Sequence, residues 1–196
     1  QVITQDMLLE QGSNSLMDAL RNTPGITMQL GENGNTSAGD TFQMRGFSTA
    51  NSTFVDGIRD LGAVSRDAFN LEQVEIAKGP AGADVGRGAA SGYVNLITKQ
   101  PRRDLNTAVT AGYGTADNKR LTFDSGVNFG QTGAARINVL FSDGGVAKRD
   151  EVSKQNVSVA PSMAVGLDTS TRFYLLSQHI RQDNTPDGGI PALGRA

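Results

Sequence analysis

The feature that most constrains the fold is a change of pattern after residue 105. From there the chain alternates apolar and polar residues in four segments, and a fifth, residues 171–181, alternates less cleanly because Phe173, Tyr174, Leu175 and Leu176 are all apolar. Such alternation predicts strands with one apolar and one polar face. Each segment is about the ~9–11 residues with which a tilted strand spans a bilayer. The four regular segments are residues 105–113, 120–129, 135–142 and 156–165.

Two architectures fit these alternating segments. One is a soluble antiparallel sheet with one face in water, and the other is an up-and-down outer-membrane barrel with short and longer connections in turn. The connections expected to be longer and more variable are residues 115–118 and 144–154 and the chain after Asp183. About five strands cannot close a barrel, because the smallest have ~8 and plugged transporters ~22. In the barrel interpretation this chain is therefore the N-terminal portion of a longer protein.

Residues 1–103 follow a different pattern, in which helix and strand signals are mixed. Short helices are predicted after Thr4 and after Ser15, since both residues can cap a helix and apolar residues follow at helical spacing. Residues 70–101 read as a strand, a glycine-rich turn and a second strand. The sequence thus predicts an α+β region followed by a run of antiparallel strands.

Composition excludes several kinds of function. The net charge is −2, which argues against nucleic acid as a partner. There is no cysteine, hence no disulfide and no thiolate metal site. The only histidine is His179, so no catalytic triad or metal centre is expected. Residues 79–92 lack the Gly-Lys-Ser/Thr of a phosphate-binding loop. We therefore do not expect an enzyme.

Three motifs occur in a characteristic order. They are LMDALRNTPGI at residues 16–26, FQMRGFSTANSTFVDGIRD at residues 42–60, and the strand–turn–strand at residues 70–101. Together they resemble the plug domain of TonB-dependent outer-membrane receptors, and they are most similar to the catecholate-siderophore receptors.

The resemblance implies the following organisation. An α+β plug domain occupies residues 1–103, and residues 104–196 are the first five or so strands of an antiparallel transmembrane β-barrel of about 22 strands. Residues 1–4 match the first plug strand. The TonB box, which lies upstream of that strand in the family, is then expected to be missing here.

The resemblance also implies a ligand site. In the family, three outward plug loops form the floor of the siderophore pocket, and they correspond to residues 31–39, 48–52 and 59–67. A ferric tris-catecholate is a bulky anion with aromatic faces, so cationic and aromatic groups suit it. The cations in these loops are Arg59 and Arg66, and either could instead be solvated or pair with Asp60 or Asp67. Glu32 and Asp40 would repel an anion. The candidate ligand-binding residues are Asn33, Asn35, Phe47, Ser48, Thr49, Arg59, Leu61 and Arg66.

A second set of charged residues lies within or beside the motifs. The resemblance implies that they pair across the interface between plug and barrel, which favours correct docking more than stability. The candidate docking residues are Arg45, Glu75, Lys78 and Arg87.

The function implied is that of a receptor and active transporter for ferric siderophores in the Gram-negative outer membrane. TonB, with ExbB and ExbD, would energise it from the periplasm, and lipid and lipopolysaccharide would surround it. Iron would be cargo, with no cofactor and no metal site in the protein. Two alternatives stay open: TonB-dependent uptake of haem, cobalamin or a sugar, and a non-transporting all-β surface module.

Overall fold

The computed structural model describes residues 1–28, 40–49, 52–62, 64–80, 91–104 and 106–185. The chain divides into two compact units, the first formed by Gln1–Lys99 and the second by Gln100–Asp187. Among the described residues, no helix is both long enough and apolar enough to cross a membrane.

The first unit combines two short helices with two small sheets. Strands β1, β7, β8, β5 and β6 form a five-stranded sheet in that order, in which β5 and β8 run parallel. Strands β2, β3 and β4 form an antiparallel sheet of three strands. The elements are β1 (Val2–Thr4), α1 (Gln5–Glu10), α2 (Leu16–Arg21), β2 (Ile26–Met28), β3 (Phe42–Met44), β4 (Phe47–Ser48), β5 (Thr53–Val55), β6 (Ile58–Arg59), a 3-10 turn (Ala68–Asn70), β7 (Leu71–Lys78) and β8 (Gly92–Thr98).

Both predicted helices are present, and both begin at the predicted caps. The Thr4 hydroxyl accepts the Met7 N–H at 3.4 Å, and the Ser15 hydroxyl accepts the Asp18 N–H at 3.1 Å. With six residues each, they are too short to be stable alone. Burial holds them: the core joins Leu8 of α1 and Leu16, Ala19 and Leu20 of α2 to inward residues of β1, β2, β3, β7 and β8.

The motif at residues 42–60 forms two hairpins, each with a two-residue turn. Arg45 and Gly46 join β3 to β4 with φ of 52° and 83°, and Asp56 and Gly57 join β5 to β6 with φ of 49° and 80°. Two successive residues at positive φ are the signature of a type I′ turn, whose twist matches that of paired strands. The two glycines are therefore explained by local backbone geometry, whereas the Asp56 carboxylate also accepts the Thr98 N–H at 2.9 Å and the Thr98 hydroxyl at 2.6 Å.

The strand–turn–strand prediction for residues 70–101 is confirmed for the part that is described. Strand β7 pairs antiparallel with β8 from Leu71↔Thr98 to Lys78↔Gly92. Val74 and Ile76 of β7 are buried, as are Val94 and Leu96 of β8. This hairpin supplies the centre of the larger sheet. The glycine-rich turn itself, residues 81–90, lies outside the described residues.

The second unit is one antiparallel sheet of six strands. Its path runs β13, β12, β11, β10, β9, and β14 also pairs with β12. The elements are β9 (Ala108–Tyr113), β10 (Lys119–Phe129), β11 (Gly133–Val146), β12 (Arg149–Val165), β13 (Phe173–Leu176) and β14 (His179–Thr185).

The expected fifth strand is present as β13 and β14, which follow one register along β12: Leu176 lies opposite Ser162 and His179 opposite Val159. Between them the Ser177 N–H donates to the Pro161 carbonyl at 3.1 Å. One expectation for this sheet is corrected. The long connection expected at residues 144–154 is instead a tight turn, because β11 runs to Val146 and β12 starts at Arg149. Lys148, at φ 65°, makes that turn possible. The glycines and charged residues of this stretch favour a loop by composition, but strand pairing overrides that preference.

Candidate functional site

The turns of the first unit carry several predicted ligand-binding residues on the surface. Phe47 on β4 is 64% exposed, and Leu61 after β6 is 72% exposed. Arg59 on β6 is exposed, with its guanidinium carbon 5.7 Å from the centre of the Phe54 ring. Ser48 is also exposed. Ile58, at 75% exposure, is a further apolar residue here that the motifs did not single out. Exposed apolar side chains and an exposed cation are the kinds of groups that suit an aromatic anion.

Arg66 is engaged in an ion-pair cluster. Its guanidinium pairs with the Asp60 carboxylate, and its Nη1 lies 3.9 Å from Asp40 Oδ2. The side chains of Arg66 and Asp40 are 13% and 1% exposed. The alternative in which Arg66 pairs with Asp60 is thus confirmed. Asp67 has another role, since its carboxylate accepts the Phe69 N–H at 2.8 Å and caps the 3-10 turn.

Asp40 explains how the cluster is held together. Its carboxylate accepts the Arg66 backbone N–H at 2.7 Å and the Ser65 hydroxyl at 3.3 Å. Burial raises the pKa of Asp40, an effect that the hydrogen bond and charge of Arg66 oppose but do not cancel. Asp40 therefore fixes residues 65–66 in place, and its charge is directed at Arg66.

The same segment is hydrogen-bonded to the start of α2. The Arg66 carbonyl accepts the Leu16 N–H at 3.0 Å, and the Ala68 N–H donates to the Asn14 carbonyl at 2.9 Å. Ser15 and Asp67 form an isolated antiparallel bridge. The end of the third predicted loop is thereby tied to the helix that the first motif forms.

Thr49 is corrected from a ligand-binding to a structural role. Its side chain is 1% exposed, and its hydroxyl donates to the Phe42 carbonyl at 2.8 Å. The Thr49 carbonyl also accepts the Ser52 N–H at 2.8 Å. These bonds hold the chain where it leaves β4, so the hydroxyl is not on the surface. Asn33 and Asn35 lie outside the described residues.

Three of the four candidate docking residues are described. Arg45 is exposed at the β3–β4 turn, and Lys78 is exposed at the end of β7. Glu75 is half-buried, and its carboxylate accepts from Gln73 Nε2 at 2.9 Å and from Asn95 Nδ2 at 3.0 Å. Arg87 lies outside the described residues. A role for these residues between plug and barrel stays a prediction.

The sheet of the second unit has an exposed face that is apolar. Leu121 lies opposite Phe141 and Phe141 opposite Val157, and these side chains are 41–47% exposed. At one end this apolar face gives way to a polar row in which Asp143 lies opposite both Lys119 and Gln155. In a soluble antiparallel sheet the exposed face would be polar, whereas here the exposed face is apolar. An exposed apolar face suits strands whose outer surface contacts lipid.

The other face of this sheet buries polar groups. Arg136, Asn138 and Ser158 are each at most 4% exposed. The Arg136 guanidinium forms two parallel bonds to the Asp124 carboxylate, Nε–Oδ1 at 2.9 Å and Nη2–Oδ2 at 2.8 Å. In the sequence Arg136 and Asp124 are simply polar positions of an alternating pattern. The register between β10 and β11 brings them together, so sequence analysis could not pair them.

Metal binding has no support in the described part of the chain. Across those residues, no group of three or more His, Cys, Asp or Glu side chains could hold an ion. His179 is exposed, and its Nε2 lies 3.0 Å from the Ser177 hydroxyl oxygen.

Comparison with known proteins assigns this architecture to a family. Residues 1–93 match the TonB-dependent Receptor Plug Domain family. The catecholate siderophore receptor Fiu of Escherichia coli strain K12 is 48% identical over 194 residues, which cover 98% of this chain and 26% of Fiu. The crystal structure of Fiu in its open form superposes with a TM-score of 0.89 at 46% identity, over 99% of this chain and 28% of the Fiu chain.

A second solved receptor gives the same result. The siderophore receptor PiuA of Acinetobacter baumannii superposes with a TM-score of 0.91 at 36% identity, over 99% of this chain and 28% of that chain. The chain belongs to the TonB-dependent receptors. It comprises the α+β plug domain and the first strands of the barrel, and it spans about a quarter of the length of the curated relatives it matches. Those relatives are receptors, not enzymes.

Proposed function

We propose that this chain is part of an outer-membrane receptor that takes up ferric catecholate siderophores. The observation that carries the proposal is the 48% identity to a catecholate siderophore receptor across 98% of this chain. That identity extends through both units, so it includes the plug turns and the first barrel strands. The cargo is a ferric chelate, and the protein needs no cofactor of its own.

The plug surface supports an anionic, aromatic cargo. Among the described residues of the three predicted loops, Arg59 is an exposed cation. Arg66, in contrast, forms ion pairs with Asp40 and Asp60. Phe47 and Leu61 add exposed apolar area. A guanidinium beside aromatic and aliphatic side chains attracts a catecholate by charge and by stacking on its rings.

The sheet of the second unit supports a place in the Gram-negative outer membrane. Its exposed apolar face would lie against lipid, and the polar row containing Lys119 and Gln155 would lie at the level of lipopolysaccharide head groups. Placing these apolar side chains in lipid removes the cost of exposing them to water.

Transport would require work done on the plug. TonB, energised by ExbB and ExbD, would act on the plug from the periplasmic side and rearrange it while the ferric chelate is bound. Strand β1 is at the edge of its sheet and has three residue pairs with β7. An edge strand with so few pairs costs less to displace than the central strands β7 and β8.

A binding titration on the full-length receptor tests the cargo. We expect ferric catecholates to bind far more tightly than ferric hydroxamates or iron-free siderophore. Arg59→Ala should weaken ferric catecholate binding about tenfold, about 1.4 kcal/mol, because it removes the exposed cation. Arg21→Ala is the matched control, since Arg21 is an exposed arginine that pairs with Asp18 of the same helix at 3.5 Å.

Other outcomes of this titration would redirect the assignment. Equal affinity for hydroxamates would remove the catecholate proposal while keeping siderophore uptake. Tight binding of haem, cobalamin or a sugar would favour the alternative cargo. Binding without TonB-dependent uptake into cells would favour the surface binding module.

A further inference from the structure

The segment that leads into the barrel is held by side chains of the barrel strands. Residues 100–104 precede β9 and belong to the second unit. The Gln100 carbonyl accepts a hydrogen bond from Arg136 Nη1 at 2.9 Å. The Arg103 carbonyl accepts one from Asn128 Nδ2 at 2.9 Å. Arg136 lies on β11 and Asn128 on β10, so two neighbouring strands hold two carbonyls of one short segment.

The Arg136 guanidinium is held in position before it reaches the Gln100 carbonyl. Two of its nitrogens are fixed by the Asp124 carboxylate, and the side chains of Arg136 and Asp124 are 3% and 13% exposed. The residue opposite Arg136 on β10 is Gly126, and Asp124 lies two residues before it on the same strand. A planar guanidinium held at two nitrogens presents its third in a fixed direction. A charged donor in a poorly hydrated site binds a carbonyl more strongly than a neutral donor in water.

Further contacts extend this attachment on either side. Arg103 Nη1 lies 3.3 Å from Asp168 Oδ2 in the β12–β13 connection. The Thr107 and Ser125 hydroxyls are 2.8 Å apart, next to the first pair of the β9–β10 ladder. The segment is therefore attached at successive points before the strand ladder begins.

We propose that Arg136, positioned by Asp124, and Asn128 form an anchor that fixes residues 100–104 to strands β10 and β11. On the proposed function, on which this inference rests, the plug rearranges when it is pulled. The anchor makes Lys99 the point at which that movement ends and keeps the load off the first residues of β9. It holds main-chain carbonyls, so it acts whatever side chains the segment carries.

Single-molecule force spectroscopy on the full-length receptor in a lipid bilayer tests the anchor. When the plug is pulled from its N-terminal side, we expect resistance once residues 1–99 are extended, at about 340 Å for ~3.4 Å per residue. In the double variant Arg136→Lys/Asn128→Ala this step should be lost, and extension should continue by about 25 Å, the length of residues 100–107, before β9 resists. Lysine keeps the charge beside Asp124 but not the fixed third nitrogen.

Two further variants complete the test. Asp117→Asn is the matched control, because it breaks the exposed Lys119–Asp117 pair of 2.9 Å in the β9–β10 turn without touching the segment, and it should keep the native step. Asn128→Ala alone changes an exposed side chain, so it should fold even if Arg136→Lys does not. It should lower the force of the step.

The result that would overturn the anchor is a step of the same force and position in the native receptor and in both anchor variants. Absence of any native resistance between the plug and β9 would overturn it as well. The measurement uses neither siderophore nor TonB, so its failure would leave the proposed function standing. Ferric siderophore affinity should be unchanged in the anchor variants, which separates a positioning role from general damage to the receptor.

Discussion

At the scale of single residues, Gly92 shows how close packing dictates a residue type. It begins β8 at φ 123°, a conformation that favours glycine. A Cβ at this position would overlap the Ala77 carbonyl oxygen and lie within 2.6 Å of Met44 Sδ. The glycine lets β7 and β8 pair beside the Met44 side chain of β3.

Replacing Gly92 by alanine should therefore be costly. We expect Gly92→Ala to destabilise the plug by about 3 kcal/mol or more, because it combines backbone strain with overlap of main-chain atoms. Gly112→Ala is the control, since no atom lies within 4 Å of the point that its new Cβ would occupy in β9. Calorimetric unfolding of the full-length receptor measures both, and equal transition temperatures would contradict this packing.

Asp40 should make plug stability depend on pH in a defined direction. Burial raises its pKa in the folded state, so the folded plug holds this proton more tightly than the unfolded chain. Its contribution is full below the unfolded pKa of about 3.9 and is lost as pH rises through the raised folded pKa. The unfolding free energy of native plug minus that of Asp40→Asn should thus increase from pH 7 towards pH 4.

Calorimetry of both receptors over this range measures the Asp40 effect. A difference that decreases towards low pH would show that the attraction of Arg66 outweighs burial. In that case the ion pair with Arg66 would affect the pKa of Asp40 more than burial does.

At the scale of elements, the alternating strands acquire meaning from their register. Phe123 lies opposite Val139, and Val139 opposite Val159, so apolar side chains form rows across three strands. The polar row through Lys119, Asp143 and Gln155 ends this face. Each strand therefore has one apolar face, which suits contact with lipid, and one face that carries polar groups.

A charge on this face should cost more in the middle than at the polar row. We expect Phe123→Arg to destabilise the full-length receptor by about 2–4 kcal/mol in lipid, and Gln155→Arg by about 0–1 kcal/mol. Both costs can be measured from the urea dependence of reversible folding into lipid vesicles. Equal costs at the two positions would contradict the placement of the apolar face in the hydrocarbon core.

The hairpin elements show which local features could be predicted. The glycines after Arg45 and Asp56 favour the positive φ that a two-residue turn needs, and both pairs form such turns here. The Ala147–Lys148 turn could not be foreseen, since neither residue favours positive φ. Strands β11 and β12 pair over most of their length, and that pairing imposes the turn.

At the scale of the whole molecule, two units fold by different rules. The first has a conventional apolar core, in which two capped helices cover β7 and β8. The second places apolar residues on its exposed face and buries Arg136 and Asn138 on the other. One chain can combine both because, on the proposed function, the apolar face of the second unit lies against lipid.

The two patterns, the helix caps, the turn glycines and the family could be predicted from sequence, since each depends on residues close together in the chain. The tertiary structure was needed to show that Thr49 is buried, that Arg66 is shared by Asp40 and Asp60, and that Arg136, positioned by Asp124, donates to the Gln100 carbonyl. These outcomes depend on strand register and on contacts between residues 6 to 36 positions apart. A shift of one residue in register would turn every side chain to the opposite face.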